Sequence, residues 1–584
     1  MPRLKTLSFA PFKAELQSVT FSSMRSDMLA ALAVALLTIP QSIAYSLLAG
    51  LPPTAGLLSA IFGTIFTATF GSSRLLVSGP STGVAILIQT SIADVLGTHY
   101  ETVVGAARDA LALQLLAQIV CLIAIVQIAS AFFNVSKLLQ FVSRSVMLGY
   151  FAGITVAIIV NQLFYLFGIP TPPGDDPILY KAALFFSLFF QGNWVALLIG
   201  IVSFFVLIFF RRTLKNWPDA LFTLIIASLL SDAFNFWGLG PKVMTLGDLT
   251  FHEQLLPQIR FPILNLKEIN TIFPAALAIA FLAVLEVFTL SRNFASRTGQ
   301  RVQINQDVFG VGVGNFVLSF LVSAMPCSGS VTRTALNFRM GSKTRLSAIF
   351  SGLFTAVIIY FCWPLVQHIP LTALATLLIA TVPTLTNWQE IKFSFRATRE
   401  DAWVFLITFL SCLIFSLDVA FFIGIALSIA TFLKKSAEPH LVEYAFNAKG
   451  RLIVISPQLD VHRKVRIIGI GGELYFASAD FFQNAMISVV DDFNVRAVVL
   501  RLNNVYHMDA SMCLAITQLY ETLKESDRYF LISGLTEEVW HVFHRAGLVK
   551  QIGLDNLFFT DESNPQFSTW KACLHAQELI HKQK

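Results

Sequence analysis

The sequence predicts an α-helical integral membrane protein of about fourteen segments with a soluble α/β domain behind them. Three observations predict it. The 584 residues are 55% hydrophobic and only 13% charged, where soluble domains carry about a quarter charged residues. Apolar runs long enough to cross roughly 30 Å of hydrocarbon recur in succession, among them 28–48, 111–129, 195–210, 271–290 and 403–416. Beyond Glu438-Pro439 the apolar runs shorten to strand length, at 452–455, 465–470, 497–500 and 529–533, and alternate with helical stretches such as 511–525 and 537–546.

The distribution of Lys and Arg sets the orientation. With Arg3, Lys5, Lys13 and Arg25 on the cytoplasmic side, every connection after an even-numbered segment is basic. In order these carry Arg74; Lys137 and Arg144; Arg211, Arg212 and Lys215; Arg292, Arg297 and Arg301; Arg339, Lys343 and Arg345; Lys392, Arg396 and Arg399; Lys434 and Lys435. The opposite connections mix Arg108, Lys181, Lys242, Arg260 and Lys267 with Glu101, Asp109, Asp175, Asp176, Asp248, Glu253 and Glu268. An even number of spans with both termini cytoplasmic follows. The first apolar run leads through Gly50-Leu-Pro-Pro into the next with no small-residue cleavage pattern, so it reads as a retained span. The expected organisation is a cytoplasmic segment 1–26, a membrane domain 27–436 and a cytoplasmic domain 437–584, in an inner (plasma) membrane.

The formal charge of +6 is scattered between apolar runs, which argues for a membrane protein over a nucleic-acid binder. Cys121, Cys327, Cys362, Cys412, Cys513 and Cys573 form no CxxC pair and read as small buried apolar side chains. His541 and His544 have no thiol or acidic partner close enough in pattern for zinc. No cofactor, metal or catalytic centre is expected, and no GxxxxGK[ST] loop for ATP occurs.

Two membrane segments are interrupted alike. Val77-Ser-Gly-Pro-Ser-Thr-Gly83 and Ala324-Met-Pro-Cys-Ser-Gly-Ser-Val-Thr-Arg-Thr334 share a Ser-Gly-x-x-Thr spacing, half a membrane domain apart, and each leads into a short helical stretch. Matched Gly/Pro interruptions point to a transporter binding site. A helix that begins inside the bilayer presents free N–H groups and a partial positive charge, and two facing each other cradle an anion. Ser and Thr add hydroxyl donors, and Arg333, in the first turn of the second half-helix, adds a fixed charge. Glu286 is the other intramembrane ionisable residue. Desolvation disfavours its charged form, so it is a candidate proton carrier, or else a permanent partner of Arg333. Importing a divalent anion against 100 mV costs roughly 4 to 5 kcal/mol, so coupling to a proton or to a second anion is expected.

Thr38-Ile-Pro-Gln-Ser-Ile-Ala-Tyr-Ser-Leu-Leu-Ala-Gly-Leu-Pro-Pro-Thr-Ala-Gly-Leu57, the stretch 291–305 and the Met-Pro-Cys-Ser-Gly-Ser-Val-Thr-Arg-Thr-Ala-Leu-Asn core of 315–337 resemble the SulP anion permeases, bacterial relatives of solute carrier family 26. Gly472-Glu-Leu-Tyr-Phe-Ala, Val499-Leu-Arg-Leu-Asn-Asn-Val-Tyr-His-Met-Asp-Ala-Ser511 and Leu531-Ile-Ser-Gly-Leu-Thr-Glu resemble a STAS domain. The resemblance implies two inverted seven-segment repeats divided into core and gate, and a homodimer. It implies an anion between the starts of segments three and ten, with the family pattern carried by Gln41, Ser81, Thr82, Glu286 in segment eight, Ser330, Thr332 and Arg333; of these, Glu286 is expected to couple protons and the others to bind the anion. Sulfate is the commonest substrate of such proteins, with bicarbonate and C4 dicarboxylates as alternatives. Related sodium-coupled proteins have Asp at the Glu286 position and Thr where this chain has Leu290, which favours proton symport or anion exchange. Ser511 stands at a place phosphorylated in related STAS domains, where Met512 replaces their Gly; it reads either as a regulatory phosphosite or as a helix N-cap. An anion channel, and a membrane-anchored anion sensor signalling to a cytoplasmic partner through STAS, are the rival functions.

Overall fold

The computed structural model describes residues 7–9, 11–16, 19–100, 106–134, 142–170, 177–213, 218–249, 258–262, 265–447, 450–455, 463–561 and 564–582. Among the charges used for topology, Arg3, Lys5, Lys137, Lys215, Glu101, Asp175, Asp176 and Glu253 lie outside the described residues. The chain divides into two compact units, Met1–Ser428 and Ile429–Lys584.

Among the described residues, ten helices are long and apolar enough to cross a membrane, from Phe21–Leu48 and Pro53–Phe70 to Leu417–Ala437. The shorter helices Thr82–His99, Ile304–Ser319, Val331–Arg339 and Arg399–Ile414 complete the fourteen segments. Local chemistry sets their ends. Phe21–Leu48 closes at Ala49, Gly50 turns the chain at φ +69°, and Pro52 and Pro53 open the next helix.

Packing sorts the segments into two groups. Phe21–Leu48, Pro53–Phe70, Thr82–His99 and Ala106–Phe132 pack with Leu266–Thr298, Ile304–Ser319, Val331–Arg339 and Leu346–Val366. Arg144–Leu166, Trp194–Thr213 and Asp219–Trp237 pack with Leu371–Leu385 and Arg399–Ile414. The first four segments of each half therefore form the core, and the fifth to seventh form the gate. Gate helices approach closely where they are small: a Cβ on Gly149 would stand 2.6 Å from the Phe405 carbonyl oxygen. The segment around Pro11–Leu16 is tied to the core by Glu15, whose buried carboxylate accepts from Arg345 Nε at 2.5 Å and meets Arg74 at 3.3 Å.

The second unit holds a six-stranded sheet in the order β4-β3-β5-β6-β7-β8, with β3 His440–Phe446, β4 Leu452–Val454, β5 Val465–Leu474, β6 Ala497–Met508, β7 Tyr529–Leu535 and β8 Leu557–Phe559. Strands β5 to β8 run parallel, and β3 pairs antiparallel with β4 and β5. Side chains alternate along β6. Val498, Leu500 and Leu502 join the core that includes Phe482, Ile516 and Phe543, whereas Ala497 and Val499 face Ala572 and Ala576 of Phe567–Lys582. Buried on both faces, the parallel strands read as continuous apolar runs.

Candidate functional site

The two interrupted segments meet. Ser78–Gly79 (β1) and Ser328–Gly329 (β2) pair as antiparallel strands, Ser78 opposite Gly329 and Gly79 opposite Ser328. Each strand leads directly into a half-helix, Thr82–His99 or Val331–Arg339. Antiparallel meeting of equivalent strands is the geometry that an inverted repeat produces. Gly and Ser suit these strands because backbone must lie close to backbone. The join is held by Ser330 N–H donating to the Val77 carbonyl at 3.0 Å and by the Val77 N–H donating to Thr334 Oγ1 at 3.1 Å. Asn337 Nδ2 donates to the Leu75 carbonyl at 3.1 Å.

Both half-helices are capped by serine. Ser81 Oγ accepts from Val84 N–H at 3.4 Å, and Ser330 Oγ accepts from Arg333 N–H at 3.5 Å. One N–H of each first turn is satisfied in this way, and both helix N-termini are directed at the same region. A helix N-terminus carries about half a positive charge, so two of them approximate one cation without any side chain.

Arg333 is fully buried, at 0% exposure. Its Nη2 donates to the Pro80 carbonyl at 2.5 Å, while Nε and Nη1 have no hydrogen-bond partner among the described residues. Gly79, at φ +145°, makes room: a Cβ there would collide with Nη1. No ion pair joins Arg333 to Glu286 among the described residues. That carboxylate accepts from the Ser328 hydroxyl and, at 3.5 Å, from Ser81 Oγ. A buried guanidinium with two unsatisfied N–H directions is costly unless negative charge comes within reach.

Beside the paired strands lies a cavity of about 180 Å³. Ser81, Thr82, Ser330, Thr332 and Glu286 line it. Gln41 and Arg333 stand behind its wall: Gln41 Oε1 accepts from Thr332 Oγ1 at 3.5 Å, and the guanidinium lies against Gly79 and Pro80. The sequence reading missed Tyr45, Thr289, Asn293 and Thr381, which also line the cavity. Thr289 and Asn293 were detectable as polar positions at i+3 and i+7 from Glu286, on the same helix face. Thr381 belongs to a different segment and had no local signal. Met147, Asn293 and Thr381 lie toward the helix ends that run into the basic connections at Arg144, Arg297 and Lys392, so the cavity lies toward that side.

In the second unit Ser511 is not the helix cap. Asp509 caps Ala510–Glu525, its carboxylate accepting from Met512 N–H at 3.0 Å, because an ionised side chain there also meets the helix dipole. Ser511 falls in the first helical turn.

Residues 24–408 match the Sulfate permease family and residues 456–563 the STAS domain. Sulfate transporter 4.1, chloroplastic, of Arabidopsis thaliana is 26% identical over 561 residues, covering 91% of this chain and 78% of its own. Sulfate transporter 2.2 of the same plant is 25% identical over 569 residues, covering 92% of this chain and 81% of its own. Among solved structures, murine solute carrier 26 family member A9, described as an anion transporter in the inward-facing state, superposes with a TM-score of 0.87 at 20% identity, covering 99% of this chain and 96% of that one. The transmembrane domain of a cyanobacterium bicarbonate transporter, BicA, gives 0.60 at 19% identity, covering 70% and 98%. These structural likenesses are likenesses of fold.

Proposed function

Because the chain belongs to the sulfate permease family and carries a STAS domain behind its membrane segments, we propose that it is a secondary active transporter of small anions, sulfate first among them, coupled to protons and working by alternating access. One observation carries the reading. Two serine-capped half-helices begin at one pair of strands inside the membrane unit, with a buried guanidinium holding two unsatisfied N–H directions behind them. The helix termini, the hydroxyls of Ser81, Thr82, Ser330 and Thr332, and the field of Arg333 bind the anion; Gln41 orients Thr332. Glu286, hydrogen-bonded to the same two strand and cap serines, carries the proton.

The relatives named as sulfate transporters support sulfate over the alternatives. The cavity lies toward the basic side, which fits a carrier resting open to the cytoplasm in an inner membrane, with both termini on that side. Residues 27–436 form the transport unit and 437–584 the STAS unit, where a phosphate on Ser511 would sit in the first turn of a helix.

Purified protein in liposomes tests this. Labelled sulfate should accumulate above equilibrium when the outside is made acidic, and Arg333→Ala should raise the KM by about tenfold or more. Flux that equilibrates without ever accumulating would mean a channel. Anion binding without flux would mean a sensor.

A further inference from the structure

A second cavity, of about 50 Å³, lies beyond the first along the same two helices. Gly83 lines the first cavity and Ile86 the second, three residues and about 4.5 Å apart along Thr82–His99. On Arg144–Leu166 the first cavity takes Met147 and Phe151, and the second takes Ala157, Val160 and Asn161. The barrier between them is thin and apolar. Ile154 and Leu282, both buried, put methyl carbons 3.6 and 3.1 Å from where a Cβ on Gly83 would stand.

The second cavity is polar where its surroundings are not. Gln89, Thr90, Asn161, Lys181 and Ser416 all face it. Lys181, at the start of Ile178–Leu188, is only 6% exposed. Gln89 Oε1 is buried without a hydrogen-bond partner among the described residues, and an amide can turn over to present its N–H groups instead. A buried ammonium beside two amides and two hydroxyls is a donor-rich lining, and intramembrane charges mark ion paths. Gln89 and Thr90 belong to the core half-helix, whereas Asn161, Lys181 and Ser416 belong to the gate side of the fold.

We propose that this cavity is a second anion-binding station, on the outer side of the barrier, which takes the same small oxyanions as the central site, with Lys181 as its cation. The proposal rests on the transport reading above. At about 50 Å³ against about 180 Å³ for the inner cavity, the station is the narrower of the two and has to widen to take an oxyanion. Parting of gate from core on the outer side would open it, and an arriving anion would meet Lys181 before crossing the one helical turn to Thr82.

The test is sided. Uptake of labelled sulfate into intact expressing cells reads the outer face, and uptake into inside-out membrane vesicles reads the inner one. Lys181→Gln should raise the outer KM by roughly tenfold with the inward kcat and the inner KM within about twofold, the outward kcat falling by a similar factor because the ratio of kcat/KM in the two directions is fixed, and Lys181→Arg should restore the outer KM. Independently, Ser416→Cys should react with an external, membrane-impermeant thiol reagent more slowly when sulfate is present. An unchanged outer KM, equal KM shifts on both faces, failure of arginine to rescue, or thiol labelling indifferent to sulfate would each overturn the station. A wild-type chain that moves no anion at all would instead overturn the transport reading beneath it.

Discussion

The guanidinium of Arg333 occupies the space that a side chain on residue 79 would fill. Gly79 holds φ +145°, a conformation that L side chains rarely adopt, and its missing Cβ is what lets Nη1 lie against the strand. Gly79→Ala should therefore both strain the backbone and push Arg333 away from the Pro80 carbonyl. We expect anion affinity to fall by about tenfold or more. Sulfate-dependent thermal stabilisation of the purified protein measures this, with Arg333→Ala as the comparison. A Gly79→Ala protein that sulfate still stabilises like wild type would separate the glycine from the site.

Asp307 fastens the far end of the second segment. Its Oδ1 accepts from Ser72 N–H at 2.6 Å, Ser73 N–H at 2.8 Å and Ser72 Oγ at 3.0 Å, and its Oδ2 accepts from Ser291 Oγ at 2.7 Å. Asp307→Ala strands four donors in a buried setting and should destabilise the membrane unit by about 3 kcal/mol, since buried unsatisfied groups cost 1–3 kcal/mol each before relaxation. Asp307→Asn keeps one acceptor oxygen and should lose less. Denaturation in detergent orders the three proteins, and equal stability of Asp307→Ala and wild type would contradict the bonding.

What the sequence made legible was whatever is encoded locally. The Ser-Gly interruptions, the serines at helix starts and the alternation of basic and acidic connections are statements about a few consecutive residues, and they locate the half-helices and Glu286. The helix 537–546 is likewise read to the residue, because Thr536, whose hydroxyl accepts from Val539 N–H, and Gly547, at φ +82°, bracket it. What stayed hidden depends on which faces meet. Thr381 enters the cavity from a distant segment, Gln41 and Arg333 sit behind the wall instead of in it, and the β1–β2 pairing links residues about 250 positions apart. Ser511 was weighed as a cap because its hydroxyl suits the role, but Asp509, two positions earlier, takes it.

Cys513 and Cys573 should be poor nucleophiles. Burial, with a smaller contribution from the Asp509 charge, pushes the Cys513 thiol up to about 11, and burial alone does the same for Cys573. A thiol three units above the medium is ionised to roughly one part in a thousand at pH 8. Iodoacetamide labelling of the intact protein, followed by peptide mass spectrometry, should be slow at both sites at pH 8 and rise about tenfold per pH unit toward 11. Rapid labelling of either cysteine at pH 8 would show that its surroundings open in solution.

Glu286 makes the sharpest test of coupling, because glutamine imitates its neutral form at almost constant volume. The carboxyl accepts from Ser328 and Ser81, so a glutamine can keep one oxygen acceptor there while losing the ability to take up or release a proton. We expect Glu286→Gln to bind sulfate with an affinity within about threefold of wild type, since no charge-assisted contact to the anion is removed. Transport should lose its pH dependence. Wild-type uptake should rise as the outer medium is acidified, because protonation discharges a carboxylate that is costly to move through the barrier, whereas the variant should exchange sulfate at a rate indifferent to pH and never concentrate it. Accumulation of sulfate by Glu286→Gln under an inward proton gradient would remove Glu286 from the coupling step, and a loss of binding equal to that of Arg333→Ala would make it part of the anion site instead.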